Sequence, residues 1–150
     1  MTPPSNGWLL DTNVIAELAS ARPAARVAAW AGARPEDRLY ISVVTLAEYD
    51  KGIENMAAGQ PARRRIERAV AALEARFAGR VLSLDDATVR RWGRISGRVK
   101  RETGRAPPVV DTLLAAQAIE RDLCLVTRNV KDVRHAGARV FDPWHDEEVE

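Results

Sequence analysis

The sequence is poor in the residues that build disulfides, zinc sites and membrane spans. Its 150 residues include one cysteine, two histidines and only 5% aromatic side chains. A single cysteine excludes an intrachain disulfide and a cysteine-based zinc site. No apolar run approaches the roughly 18 residues of a membrane-spanning helix, and the N-terminus lacks the basic and apolar regions of a secretory signal. These absences predict a cytoplasmic protein with no membrane partner.

The composition is that of one globular domain. With 46% hydrophobic and 29% charged residues, wholesale disorder is excluded. A chain of this length buries roughly 68–70% of its unfolded surface and needs no covalent staple. No repeat or linker interrupts it, so we predict a single domain over 1–150 with an acidic tail at 142–150.

Charge is unevenly distributed along the chain. The tail at 142–150 holds five acids and no lysine or arginine, so the remaining body has 23 basic and 16 acidic residues and a net charge of +7. A basic body is typical of proteins that bind polyanions such as nucleic acid, although an arginine-rich solvated surface explains it equally well. We expect the tail itself to be solvated.

Short apolar runs alternate with helical patterns along the chain. The predicted strands are 7–10, 39–41, 81–82, 123–127 and 140–141, and the predicted helices are 14–20, 23–33, 42–58, 61–78, 85–103 and 109–121. This alternation predicts an α/β fold with a short parallel sheet of about four or five strands, flanked by about six to seven helices.

Four acids follow the predicted strands. Asp11 comes directly after the first strand, and Glu48 lies two turns into the helix after the second. Asp111 lies in the first turn of a very apolar helix, and Asp132 follows the strand that ends at Thr127. Ligands of parallel sheets bind beyond the carboxyl ends of the strands, so we expect these acids to converge there.

Each acid alone has an ordinary structural explanation. Asp11 could cap a helix, Glu48 could form a capping box with Thr45, Asp111 could complement a helix dipole and Asp132 could stabilise a turn. Gathered at one edge, however, they would repel each other unless a cation neutralised them. Carboxylates without histidine or cysteine suit Mg²⁺ or Mn²⁺, which can activate water for phosphoryl displacement. The sequence therefore predicts a metal-dependent phosphodiesterase acting on nucleic acid.

Five motifs then appear in an order that resembles a known family. They are LLDTNVI at 9–15, ISVVTLAE at 41–48 followed by KGI at 51–53, VDTLLAA at 110–116, LVTRN at 125–129 and VFDPWH at 140–145. The set resembles PIN-domain ribonucleases, specifically the VapC-type toxins of bacterial toxin–antitoxin pairs and their FitB branch. The resemblance covers essentially the whole chain and implies a PIN-like fold.

The resemblance also implies the residues of an active site. Asp11 and Asp111 would be the principal metal ligands, and Glu48 and Asp132 would be further catalytic acids and candidate ligands. The family often carries an acid where this chain has Asn129, and Asp132, three residues on, would substitute for it.

The implied chemistry is endonucleolytic cleavage of RNA by metal-activated water. Mg²⁺ would be the cofactor, with Mn²⁺ as a second possibility, and no covalent enzyme intermediate is expected. Asn13, Thr127 and Asn129 would orient metal ligands or the substrate phosphate through hydrogen bonds.

The implied partners are RNA as substrate and a small VapB- or FitA-like antitoxin. The antitoxin would bind operator DNA as a dimer and insert an arginine into the acidic site, where a carboxylate cluster is a good receptor. Operator DNA would be reached only through the antitoxin, and the toxin is expected to form a homodimer.

Three alternatives stay open. A haloacid dehalogenase phosphatase would need an acid where this chain has Asn13, and a phosphate-accepting receiver domain would need a late lysine, for which only Lys131 is available. A PIN fold without catalysis could serve as a mere binding partner in a DNA-binding autorepressor complex, and Asn129 supports this option.

The basic helix with Arg90, Arg94, Arg98 and Arg101 along one side is either an RNA backbone track or a solvated face.

Overall fold

The computed structural model describes residues 6–149, in which six strands form one sheet. The strands are β1 (Trp8–Leu10), β2 (Leu39–Ser42), β3 (Val81–Leu82), β4 (Cys124–Val126), β5 (Val140–Asp142) and β6 (Glu147–Val149). Their order across the sheet is β3-β2-β1-β4-β5-β6, and every pairing is parallel except the antiparallel pairing of β5 with β6.

Helices connect the parallel strands. Across residues 6–149 there are seven α-helices: α1 (Thr12–Ala19), α2 (Ala25–Gly32), α3 (Val43–Glu54), α4 (Pro61–Arg76), α5 (Asp86–Thr103), α6 (Val109–Glu120) and α7 (Val130–Val133). A 3₁₀ turn at Glu36–Arg38 precedes β2. The predicted α/β architecture is confirmed, with one more strand than expected. None of the helices in the described part of the chain is long and apolar enough to cross a bilayer.

The core lies on both faces of the sheet. Leu9 and Leu125 face a cluster that includes side chains of α5 and α6, whereas Leu10 and Val126 face a second cluster that includes side chains of α1 and α2. All four are at most 1% exposed. Burial on both faces explains why these strands are continuous apolar runs without polar alternation.

The sequence predicted a solvated acidic tail, and this prediction is wrong for part of the tail. Asp142 is the last residue of β5 and only 3% exposed, and the backbone of residues 147–149 pairs with β5 as a sixth strand. The side chains of Glu147 and Glu148 are exposed to solvent. The pairing satisfies polar backbone groups that an open edge strand would leave without partners, and the glutamates discourage further strand addition.

The connections place several helix starts at one edge of the sheet. Helices α1 and α3 begin directly after β1 and β2, and α7 begins shortly after β4. Helix α6 runs back across the sheet to lead into β4, so it also begins at this carboxyl edge. Residues in the first turns of these helices are therefore brought together from distant parts of the sequence.

Candidate metal centre

Asp11 is a buried carboxylate held by three hydrogen bonds. It is 5% exposed and lies at the N-cap of α1. Its Oδ1 accepts from the backbone N–H of Thr12 at 2.6 Å, and its Oδ2 accepts from the Thr127 hydroxyl at 2.7 Å and from Asn13 Nδ2 at 3.1 Å. Burial raises the pKa of Asp11, while the Thr127 hydrogen bond opposes that rise. The predicted capping role is real, but Oδ2 faces Thr127 at the end of β4.

Thr127 joins the ends of the two central strands. Its hydroxyl donates to Asp11 and accepts from Asn13 Nδ2 at 3.2 Å and from the backbone N–H of Asn129 at 3.0 Å. Asn13 completes the network by accepting the backbone N–H of Arg128 on its Oδ1 at 3.2 Å. The network fixes the orientation of the Asp11 carboxylate, because each group in it is already bonded to a neighbour.

Glu48 is held by α1 and not by a capping box. The Thr12 hydroxyl donates to Glu48 Oε1 at 2.6 Å and lies 3.1 Å from the hydroxyl of Thr45. The N-cap of α3 is Ser42, whose hydroxyl accepts the backbone N–H of Val44. The capping-box explanation of Glu48 is therefore wrong, and its carboxylate is directed towards the residue next to Asp11.

The pKa of Asp111 is affected by the three other predicted acids. Its carboxyl is half-buried, and its pKa is raised from 3.8 to about 6. Burial is the largest cause, followed by the negative charges of Asp11, Asp132 and Glu48. The electrostatic contributions come from the three other acids of the predicted cluster, so each of them lies within electrostatic range of Asp111.

Asp132 reaches the cluster from the four-residue helix α7. Its side chain is exposed, and Asn129 occupies the N-cap position of the same helix. Asn129 contributes its backbone N–H to Thr127. The negative charge that this segment contributes near Asp111 therefore belongs to Asp132, three positions after Asn129.

The donor set suits a hard cation. Among residues 6–149, no three carboxylate, imidazole or thiolate groups converge as a ready-made metal cage. Mg²⁺ does not need one, because it usually takes one or two protein carboxylates and completes its shell with water and substrate phosphates. The four acids offer oxygen ligands only, and a bound cation would relieve their mutual repulsion.

Neither Cys124 nor His145 joins this cluster. Cys124 is buried in β4, and burial raises the pKa of its thiol to about 12. The imidazole of His145 is hydrogen-bonded to Asp142 at the end of β5. This arrangement leaves no sulfur or nitrogen ligand from these residues to attract zinc to the acids.

Sequence reasoning missed Thr12. Thr12 stands between Asp11 and Asn13 in the same motif, which was the available signal. Its role depends on α1 and α3 lying side by side, which residue spacing does not reveal.

The basic helix is partly structural. Arg91 pairs with Glu120 of α6, and Arg98 bonds to Glu102 and to the carbonyl of Ala136 beyond α7. Arg90 and Arg94 are exposed. Part of the helix is thus committed to packing, and an RNA track along the rest stays a prediction.

This fold, with acids at the carboxyl edge of a short parallel sheet, defines a PIN domain, and the chain belongs to that family. A family model for the PIN domain matches residues 8–137. The chain is similar to the toxin FitB of Neisseria gonorrhoeae, with 33% identity over 138 residues that cover 92% of this chain and 99% of FitB. It is also similar to a VapC ribonuclease of Sinorhizobium fredii, with 34% identity over 91% of this chain and 96% of the relative.

Solved structures give the same result. A structure of FitAB bound to a DNA fragment superposes with a TM-score of 0.82 and 31% identity, covering 93% of this chain and 97% of the matched chain. The resemblance stated from the motifs is confirmed.

Proposed function

We propose that this protein is a metal-dependent endoribonuclease and the toxin of a VapBC-type toxin–antitoxin pair. The single observation that supports this most directly is the gathering of carboxylates at the carboxyl edge of the sheet. Buried Asp11 lies beside Thr12, whose hydroxyl donates to Glu48, and the charges of Asp11, Asp132 and Glu48 add to burial in raising the pKa of Asp111. Maintaining such a cluster is unfavourable unless a cation binds it. The similarity to a protein named as a VapC ribonuclease supports RNA as the substrate class.

In this proposal Asp11 and Asp111 hold Mg²⁺, or Mn²⁺ in its place, with Glu48 and Asp132 as further ligands or water-orienting acids. The ion would supply an activated water and neutralise charge during displacement at phosphorus. Thr127 and Asn13 donate to one oxygen of Asp11 and so hold its carboxylate in place. Thr12 does the same for Glu48. Such outer hydrogen bonds fix ligand orientation and basicity.

The partners follow from the same cluster. A carboxylate site accepts an arginine through charge-assisted, bidentate hydrogen bonds, so an antitoxin arginine would compete with the metal. The FitAB structure contains DNA, which is consistent with operator binding through the antitoxin. A homodimeric toxin acting in the cytoplasm completes the proposal.

The second candidate is a catalytically silent binding partner of the antitoxin. Asn129 favours it, because an amide brings no charge where the family often has an acid. Asp132 argues against it, because its charge acts on Asp111 and would take the place of the missing acid in the cluster.

Cleavage of total cellular RNA tests the proposal. The purified protein is incubated with Mg²⁺, with Mn²⁺ or with EDTA, beside Asp111→Asn and the matched variant Asp37→Asn, which removes an exposed acid just before β2. We expect metal-dependent cleavage that is lost in Asp111→Asn and kept in Asp37→Asn. Tight Mn²⁺ binding without cleavage of any RNA would contradict the nuclease, and absence of both would favour the silent partner.

A further inference from the structure

A second buried carboxylate, that of Asp142, lies at the end of β5, the strand next to β4. Asp142, at the end of β5, is 3% exposed, and its Oδ1 accepts the backbone N–H groups of Trp144 at 2.8 Å and His145 at 3.3 Å. Its Oδ2 lies 2.8 Å from Nδ1 of His145. A buried carboxylate with three partners fixes the turn that carries Trp144.

Trp144 in turn supports Arg128. The guanidinium carbon of Arg128 lies 5.1 Å from the centroid of the Trp144 ring. Stacking on an aromatic face restricts the guanidinium plane and leaves its N–H donors free at the edge. Arg128 is exposed, and within residues 6–149 no carboxylate forms an ion pair with it.

The arrangement is anchored to the acid cluster. The backbone N–H of Arg128 donates to Asn13, whose side chain also donates to Asp11. On the other side, the backbone N–H of Thr127 donates to the carbonyl of Phe141, directly before Asp142. These hydrogen bonds fix the backbone of Arg128 at the carboxyl edge of the sheet, beside Asp11.

We propose that Arg128 is a substrate-binding residue that holds a phosphate of the RNA strand next to the bond to be cleaved, and that Trp144 and Asp142 position it. This inference rests on the proposed ribonuclease function. A cluster of four acids repels a polyanion, so a cation at its border is needed to bring the strand in. A planar guanidinium with free edge donors matches the geometry of a phosphate.

The test measures RNA binding separately from cleavage. A fluorescent 12-nucleotide single-stranded RNA of mixed sequence is titrated by anisotropy against the full-length Asp111→Asn protein, alone and combined with further substitutions, over a range of salt concentrations. One lost phosphate contact should lower the slope of log affinity against log salt by about 0.7. We expect Arg128→Gln to show that change and to weaken binding about 3- to 10-fold.

Three further variants separate charge from positioning. Arg128→Lys and Trp144→Leu keep the positive charge, so each should retain the salt slope while weakening binding, because the guanidinium plane or its support is lost. Arg22→Gln removes an exposed arginine beyond the far end of α1 and should change neither quantity. Equal behaviour of Arg128→Gln and Arg22→Gln would overturn the phosphate contact.

Cleavage by the otherwise unmodified protein distinguishes this inference from the proposed function. If RNA is cleaved and Arg128→Gln binds like the control, the contact is wrong and the nuclease stands. If no RNA is cleaved but binding depends on Arg128, the contact stands and the nuclease is wrong. If no variant binds the RNA, the contact is overturned.

Discussion

The hydroxyl of Thr127 donates a 2.7 Å hydrogen bond to Oδ2 of Asp11, joining residues 116 positions apart. Both residues are buried, and they lie directly after β4 and β1, the two central strands. The bond stabilises the ionised form of a carboxylate whose burial favours the neutral form. Folding of the sheet and the orientation of a proposed metal ligand are thus linked through one hydroxyl.

Replacing Thr127 by valine tests this link. Thr127→Val keeps the shape but leaves a buried carboxylate with one donor fewer, so the free energy of unfolding should fall by about 1–3 kcal/mol. Mn²⁺ affinity should fall with it, because Asp11 is no longer held. Urea denaturation and calorimetry measure the two effects. Thr127→Ser retains the hydroxyl and should keep most of the affinity. Wild-type Mn²⁺ binding by Thr127→Val would show that the bond does not position Asp11.

Removing the charge of Asp111 should stabilise the metal-free protein. The pKa of Asp111 is about 6 in the folded protein and 3.8 ordinarily, so the folded state binds more protons between these values. Stability then falls as pH rises from about 4 to 6 and stays lower above that. Because Asp111 is partly exposed, we discount the loss of folding stability caused by its charge to about 1 kcal/mol. Asp111→Asn should therefore raise Tm by roughly 2–4 °C at neutral pH in EDTA.

Thermal unfolding at two pH values measures this difference. The gain should disappear near pH 4, where Asp111 of the wild type is protonated as well. The matched variant Asp37→Asn, outside the cluster, should leave Tm unchanged at both pH values. A gain that persisted unchanged at pH 4 would mean that repulsion at Asp111 is not its cause.

Metal binding should depend on pH through the same group. A metal ligand must lose its proton first, and the pKa of Asp111 is about 6. Mn²⁺ affinity should therefore be about tenfold weaker at pH 5 than at pH 7, with about one proton released per ion at the lower pH. Calorimetry in buffers of different ionisation enthalpy counts the proton. Binding that does not vary over this range would exclude Asp111 as a ligand.

Asp132 should matter less than Asp111. It is exposed and belongs to a helix of only four residues, whereas Asp111 is half-buried in the first turn of α6. Asp132→Asn should therefore reduce RNA cleavage and Mn²⁺ affinity by a smaller factor than Asp111→Asn, because water screens its charge more effectively. Both substitutions remove one negative charge, so each serves as the control for the other. Equal losses would make Asp132 a full ligand.

Residue patterns predicted the longer elements and missed the shortest ones. Helix α5 has an apolar face and a clear cap at Asp85, and β4 is an uninterrupted apolar run, so both were found from the sequence. Strand β6 consists of two glutamates and a valine, which carry no strand signal, and it forms because β5 offers a free edge. Helix α7, with four residues, is too short to show a periodicity.

The acids of the candidate site were found because parallel strands end at one edge, a rule that requires only the order of elements. Their partners were not. Residue spacing could not show that Thr12 holds Glu48, that Thr127 holds Asp11 or that Asp142 is buried beneath Trp144 and His145.

The amino-acid order alone therefore establishes an α/β chain with acids after its strands and a basic body. The tertiary structure decides which carboxylates lose water, which hydroxyls hold them and how strongly they repel each other. The reason is physical: apolar periodicity is local along the chain, whereas desolvation and Coulomb interactions depend on distances between residues that are far apart in sequence. The pKa of Asp111, raised by burial and by charges that are distant in sequence, is the clearest example of what the tertiary structure decides.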